Sequence, residues 1–458
     1  MKETKINQNP ISDQSGPRRK RKKTGKHALR VLLAAGILGM ASFAFAQDVN
    51  EALDFEDLGF NSRLFSAARP AGLAGAYTTA GDDVHTLVYN PAGLSRVRRI
   101  EASVGFQYER NNVRNVFYGS TASVDHTSTN LDYASIAYPF PTYRGSLVGA
   151  FGVYREYSAY LDLINRGFNT ATQTQDDFVL QQSGSIFSYN VGFGVDLSPT
   201  LSTGASFFIL DGTVNALTQW SYQVIGPLNQ GDIREHFLLD DLQVDVDGYG
   251  GRLGIQFSPH NKFRFGAALT TPIWINLEGD AFTEELLYLE DDPDEMYTDV
   301  ALIDIDYRLP YRIDAGVSFT PEYFLISVDA GYADWTQSSI NRTRLRDDNL
   351  EPVQREVVDV RAGVEVNIPG RPFRIRAGYA YVPYPLHYLQ ADRIEGAAIT
   401  KASIDTERQL LAFGFGGLVG RVLTLDAAYQ YIMGERSIST LKDDRALHRF
   451  LLSGSYRF

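Results

Sequence analysis

The chain has 458 residues, no cysteine and a net charge of −12. The missing cysteines exclude disulfide scaffolds, iron–sulfur clusters and thiolate zinc sites. Ten of the 43 Lys and Arg residues lie in residues 1–46 against two acidic ones, so the rest of the chain carries −20, the wrong sign for a nucleic-acid partner.

The first predicted element is an export signal over residues 1–46. Arg18 to Lys23 is a basic run, Val31 to Phe45 is apolar, and Ala44-Phe45-Ala46 precedes Gln47 as an A-x-A cleavage site. The apolar run is shorter than the roughly twenty residues of a spanning helix. No later stretch is long and uncharged enough to cross as a helix, so an exported membrane protein of this sequence crosses as a barrel.

Residues 47–99 have a different texture. They contain Ala68-Arg69-Pro70-Ala71-Gly72-Leu73-Ala74-Gly75-Ala76-Tyr77, then Gly81-Asp82-Asp83, then Tyr89-Asn90-Pro91-Ala92-Gly93-Leu94. Small residues permit close packing, and Asn-Pro marks a turn or helix start. A compact segment of this kind ahead of a barrel suits a plug inside it.

From residue 100 the chain alternates between apolar and polar residues. In 303–320 every odd position from Ile303 to Phe319 is apolar, and the positions between are charged or small. A period of two puts these sets on opposite faces of a strand, and the reading here gives the apolar face to lipid. Fourteen strands are predicted near 100–111, 130–140, 145–157, 184–197, 201–222, 242–258, 263–279, 303–320, 324–338, 357–369, 373–385, 407–419, 423–437 and 448–458. The connections alternate between tight Pro/Gly turns, such as 198–200 and 370–372, and long segments at 158–183, 223–241, 280–302, 339–356 and 386–406. This is the loop asymmetry of an outer-membrane barrel. One strand changes phase. Leu242, Val244 and Val246 are even and Leu253, Ile255 and Phe257 odd, with Gly248, Gly250 and Gly251 between. Glycines at a phase change predict a β-bulge, which bends the strand or opens a lateral gap.

The pattern of residues 68–94 resembles the N-terminal hatch of the FadL/TodX-type outer-membrane transporters, which carry long-chain fatty acids and other hydrophobic compounds. The resemblance implies an all-β fold, a 14-stranded antiparallel transmembrane barrel over 100–458, plugged by the 47–99 hatch. It assigns Gly72, Gly75, Asp82, Asp83, Asn90, Pro91, Ala92 and Gly93 to the gating segment. The final strand, ending at Phe458, resembles the recognition strand that the barrel-assembly machinery reads. The implied function is passive uptake of a hydrophobic small molecule across the outer membrane. The alternative within the family is an accessory barrel of protein secretion.

Two predicted external loops have apolar content suited to capture: Leu217, Trp220, Tyr222 and Ile225 in 217–228, and Phe282, Leu286, Leu287 and Tyr288 in 281–289. The same residues also suit loop packing or an interfacial girdle. Arg361, Arg374 and Arg376 lie on lumen faces of neighbouring strands, where they would meet a carboxylate head or form an ion-pair ladder with Asp359 and Glu365. The acidic run 290–295 lacks the spacing of a calcium loop. No nucleophile elbow, zinc helix or phosphate loop occurs, and the seven His are isolated. The reading is therefore a non-enzyme without metal or cofactor.

Overall fold

A computed structural model describes residues 66–458, except 171, 341–342, 345–354, 386–387, 391–400, 404 and 439–440. The export signal and the first part of the expected hatch lie outside the described residues. Fourteen wall strands run antiparallel: β1 (Glu101–Phe117), β2 (Ser120–Phe140), β3 (Leu147–Ser158 continued by Leu161–Asn169), β4 (Thr174–Ser198), β5 (Leu201–Val224), β6 (Ile233–His260), β7 (Phe263–Thr270 and Ile273–Leu289), β8 (Glu295–Leu309 and Arg312–Phe319), β9 (Phe324–Asp334), β10 (Glu356–Asn367), β11 (Phe373–Tyr381), β12 (Asp405–Val419), β13 (Leu423–Ile438) and β14 (Leu441–Arg457). Each pairs with the next, and β14 returns to β1 from Glu101↔Arg457 to Phe117↔Leu441, so the sheet closes.

A belt of exposed apolar side chains circles the barrel. Phe106, Ile136, Phe151, Phe193, Phe207, Phe257, Ile326, Ile375, Phe413 and Leu452 all point outward. Below it the turns are short and hold Pro and Gly. Above it the strands of the β3–β8 sector continue, and there the amphipathicity inverts. Ile303, Ile305, Tyr307 and Leu309 are buried inside, whereas Ile313 and Val317 of the same strand are exposed to lipid. The exchange takes place at Pro310-Tyr311, where the strand is interrupted; Pro310 has no N–H for the ladder. The single lipid-facing stripe expected over 303–320 is thus two stripes on opposite faces. The physical reason is the medium outside the wall. Beside lipid the apolar residues face out, and beside water they face in.

The same inversion removes the bulge expected near Gly248. β6 keeps continuous register with β5 from Leu201↔Phe257 to Gln223↔Glu235, and Leu242, Val244, Val246, Arg252 and Gln256 are all buried on one inner face. The sequence changes phase there because β6 leaves the membrane. The extra residue at this level belongs to β7, which places Thr271 to Ile273 opposite Gly250 and Gly251. Three of the long loops are likewise mostly strand. The connections there shrink to 170–173, 225–232 and 290–294. The extension packs an inner core of Phe208, Leu210, Val214, Leu242, Val244, Ile275, Leu277 and Ile305. Its outer face is acidic, with Asp245, Glu278 and Asp304 directly opposite one another across β6, β7 and β8.

Candidate functional site

Residues 66–99 fill the lower lumen. They contain α1 (Ala68–Gly72), α2 (Thr86–Tyr89) and a 3-10 helix over Pro91–Arg96. The Asn90 side chain caps the 3-10 helix at Ala92 N (3.1 Å), with Pro91 in the first helical position, as Asn-Pro chemistry favours. Asn90 Nδ2 also donates to Thr78 O (2.9 Å). The wall makes room for this segment with glycine: a Cβ on Gly254 would overlap Asn90 Oδ1, and one on Gly204 would overlap the Pro91 carbonyl. Gly72 lies against Gly414, and Gly75 turns the chain with a φ of 76°.

Buried ion pairs hold the hatch. Arg69 donates to Asp82, to Asp83 (3.0 Å) and to Glu365 of β10 (3.1 Å). Glu365 also accepts from Arg376 of β11 (2.6 Å), which reaches Asp426 of β13 (2.7 Å). Arg361 donates to the Gly75 carbonyl (3.2 Å) and pairs with Asp359 and Asp314. Arg374 stands 3.9 Å from Glu365 and is one-third exposed. The three arginines thus form an ion-pair ladder, and Arg361 and Arg376 reach from it to the hatch and its anchors. Asp82 and Asp83 join the same cluster, a role their sequence pattern alone did not reveal.

Burial pushes the Asp83 carboxyl up, but the charges of His85 and Arg69 outweigh it and leave the group below its ordinary value. Asp82 is half exposed, and Arg69 holds its carboxyl below the ordinary value. Carboxyls depressed in the folded state contribute stability that is fully present above their unfolded pKa of about 4 and is lost as pH falls through the folded values. Acid is therefore expected to loosen the hatch before the barrel. Pepsin cleavage within 66–99 should rise sharply on going from pH 4 to pH 1.5 while the heat-modifiable gel shift of the barrel persists. Equal protection at both pH values would rule these two carboxyls out as the latch.

Above the hatch is a cavity of about 230 Å³. Its walls include Leu161, Ile273, Leu309, Trp335, Val357 and Leu410. Six arginines line it: Arg252, Arg312, Arg361, Arg408, Arg445 and Arg449. Glu109, Glu156 and Asp359 lie among the lining residues, and Asp314 behind them accepts from Arg312 (2.9 Å) and from Arg361. Glu156 accepts from Arg252 (2.9 Å), and Glu109 is shared by Arg449 (3.1 Å) and Arg155 (3.4 Å). The cavity is an apolar chamber with a cation-rich floor. Of the arginines expected to meet a head group, Arg361 lines it, and Arg374 and Arg376 do not.

The wall beside the cavity is incomplete. β2 pairs with β3 only from Phe140↔Leu147 to Tyr133↔Tyr154. From Ser120 to Leu131 the described ladder of β2 is with β1 alone. Side chains bridge this seam. His126 Nδ1 meets Asp162 Oδ2 at 2.8 Å, and the His126 ring stacks on Tyr160 at 5.1 Å. His126, Ser128, Ser158, Ala159 and Tyr160 all border the cavity. The hatch touches the lower end of the seam. Ala67 N donates to Asp132 (2.7 Å), and His85 packs edge-on against Tyr133 at 4.6 Å.

The residues expected to capture ligand do not form one surface. They lie on β5, on β7 and at the β5–β6 turn, with β6 between the two strands. Trp220 is buried on the inner face with Phe178, Leu161 and Leu163, and Tyr222 packs on that cluster. Leu287 shares a cross-strand row with the inward His236. Leu217, Phe282, Leu286 and Tyr288 occupy the alternate, outward positions, and Ile225 is exposed in the turn.

A family model described as outer membrane protein transport protein (OMPP1/FadL/TodX) matches residues 59–457. The chain belongs to this family. It is an outer-membrane protein of a group of channels for hydrophobic compounds. Solved structures share the fold at low identity. A Pseudomonas aeruginosa FadL homologue is 14% identical with a TM-score of 0.58, over 86% of this chain and 98% of that one. The toluene transporter TodX of P. putida is 14% identical with a TM-score of 0.59, over 85% and 98%. The monoaromatic hydrocarbon channel CymD is 13% identical with a TM-score of 0.54, over 86% and 97%. No curated protein sequence matches the chain significantly.

Proposed function

We propose that this barrel takes up long-chain fatty acids or chemically similar amphiphiles passively, and that the guanidinium groups lining the cavity carry the choice of ligand. A methylene chain entering an apolar chamber gains about 0.8 kcal/mol per buried CH₂. That term serves a fatty acid and a neutral hydrocarbon alike. The lining arginines favour an anionic head: four of them already share Glu109, Glu156, Asp314 and Asp359, and each guanidinium carries further N–H donors for charge-assisted hydrogen bonds. Some relatives are named for toluene or monoaromatic hydrocarbons, ligands that would leave this positive floor unused. Capture starts at the outward Phe282 and Leu286 of β7. The ligand then enters the cavity and leaves sideways at the β2–β3 seam, under control of the hatch.

Binding to the purified protein tests this. A long-chain carboxylate is expected to bind roughly tenfold or more tightly than the alcohol of equal length, since hydrogen bonds to charged groups contribute about 1.5–3 kcal/mol. Phe282→Asp should slow uptake by cells without weakening equilibrium binding in the cavity. Tight binding of toluene with no binding of the carboxylate would replace this ligand with an aromatic hydrocarbon.

A further inference from the structure

The two ends of the barrel carry opposite charge. The external face above the lipid belt is acidic. The short turns at the other end expose Arg98, Arg99, Arg144, Lys262, Arg371 and Arg421. Among the described residues those turns expose one carboxylate, Glu322. In a chain with a net charge of −12 this concentration of cations is not a matter of composition.

We infer that this basic rim binds the anionic phospholipid headgroups of the periplasmic leaflet. Its position supports that partner. Four of the six cations sit within a few residues of an exposed apolar side chain at the lower edge of the belt: Arg144 beside Leu147, Lys262 beside Phe263, Arg371 beside Phe373, and Arg421 beside Val419. A side chain so placed reaches headgroup depth while its neighbour stays in acyl chains. The distribution also supports it. The cations occur before β1 and in the β2–β3, β6–β7, β10–β11 and β12–β13 turns, so they surround the mouth. A lipid annulus touches a barrel from every side, whereas a soluble acidic protein docks on one. The inference rests on the barrel's placement in the membrane and not on what it carries.

The test is lipid retention by the full protein. It is purified from mixed micelles of phosphatidylglycerol and phosphatidylethanolamine, and bound lipids are counted by native mass spectrometry. The native protein should retain phosphatidylglycerol in preference to phosphatidylethanolamine. Each rim cation should supply a factor of roughly five, from about 1 kcal/mol per basic residue near an anionic surface. The preference should fall with added salt. The variant R144Q/K262Q/R371Q/R421Q, shown folded by its heat-modifiable gel shift, should lose most of it while binding long-chain carboxylate as before. Equal retention of both lipids by the native protein would overturn the inference, as would an unchanged preference in the variant. Recovery of a soluble acidic protein from a periplasmic fraction, with no lipid preference, would assign the rim to that partner instead.

Discussion

Replacing Glu365 with Leu is expected to release the hatch and leave the barrel closed. Glu365 accepts from Arg69 Nε at 3.1 Å and Arg376 Nε at 2.6 Å, and it is almost fully buried. The substitution leaves two buried guanidinium groups short of a partner. Arg69 keeps Asp82 and Asp83, and Arg376 keeps Asp426. Removing one member of a buried charge network costs about 3–5 kcal/mol. That penalty falls on the contact between hatch and wall. The backbone pairing of Glu365 with Arg376 belongs to the β10–β11 ladder and does not depend on the carboxylate. Single-channel conductance should therefore rise, and cells should become sensitive to bulky hydrophilic antibiotics, while the folded gel mobility is unchanged. Glu365→Gln keeps a hydrogen-bond acceptor and should leak less. Native conductance in the Leu variant would show that the glycine contacts of Asn90 and Pro91, and not the ion pairs, hold the hatch.

The barrel was legible in the sequence because each strand beside lipid repeats a two-residue pattern that a bilayer enforces. The hatch was legible because Gly-Leu-Ala-Gly-Ala-Tyr and Asn-Pro-Ala-Gly are local motifs, and Asn90 does cap the helix that Pro91 begins. What misled was the assumption that one medium lies outside a strand along its whole length. Ile303 and Ile313 have the same parity and similar side chains, yet one is buried inside and the other faces lipid. Periodicity records alternation and not which face is wet. The same assumption turned the exit of β6 from the membrane into a bulge, and the tall β3–β8 extension into loops. The cavity was hidden for a different reason. Glu109, Glu156, Arg252 and Arg449 come from four strands, and only closure of the barrel brings them together. One signal was available: a charged residue on the polar face of a strand whose other face is lipid must point into the lumen, and Glu109 and Arg449 satisfy that rule.

The seam between β2 and β3 gives a second large expected effect. Along this stretch the described wall has side-chain bridges where other neighbouring strands have a ladder, chiefly the His126–Asp162 pair and the His126–Tyr160 stack. A single part-buried side-chain hydrogen bond of this kind contributes about 1 kcal/mol, so thermal motion can open such a bridge. The chain has no cysteine, which makes H126C/D162C a clean pair for a short bismaleimide tether. Uptake of long-chain carboxylate should fall to background when the tether is in place. Each single variant treated with the same reagent should keep near-native uptake, and binding to the cavity should survive in all of them. Opening the hatch distinguishes the two exits. If ligand leaves through the seam, adding Glu365→Leu should not restore uptake to the tethered protein, apart from the nonselective leak seen with hydrophilic solutes. If the tethered protein takes up ligand at the native rate, the path runs downward past the hatch. The contacts of Ala67 with Asp132 and of His85 with Tyr133 would then belong to the hatch's seating and not to a lateral gate.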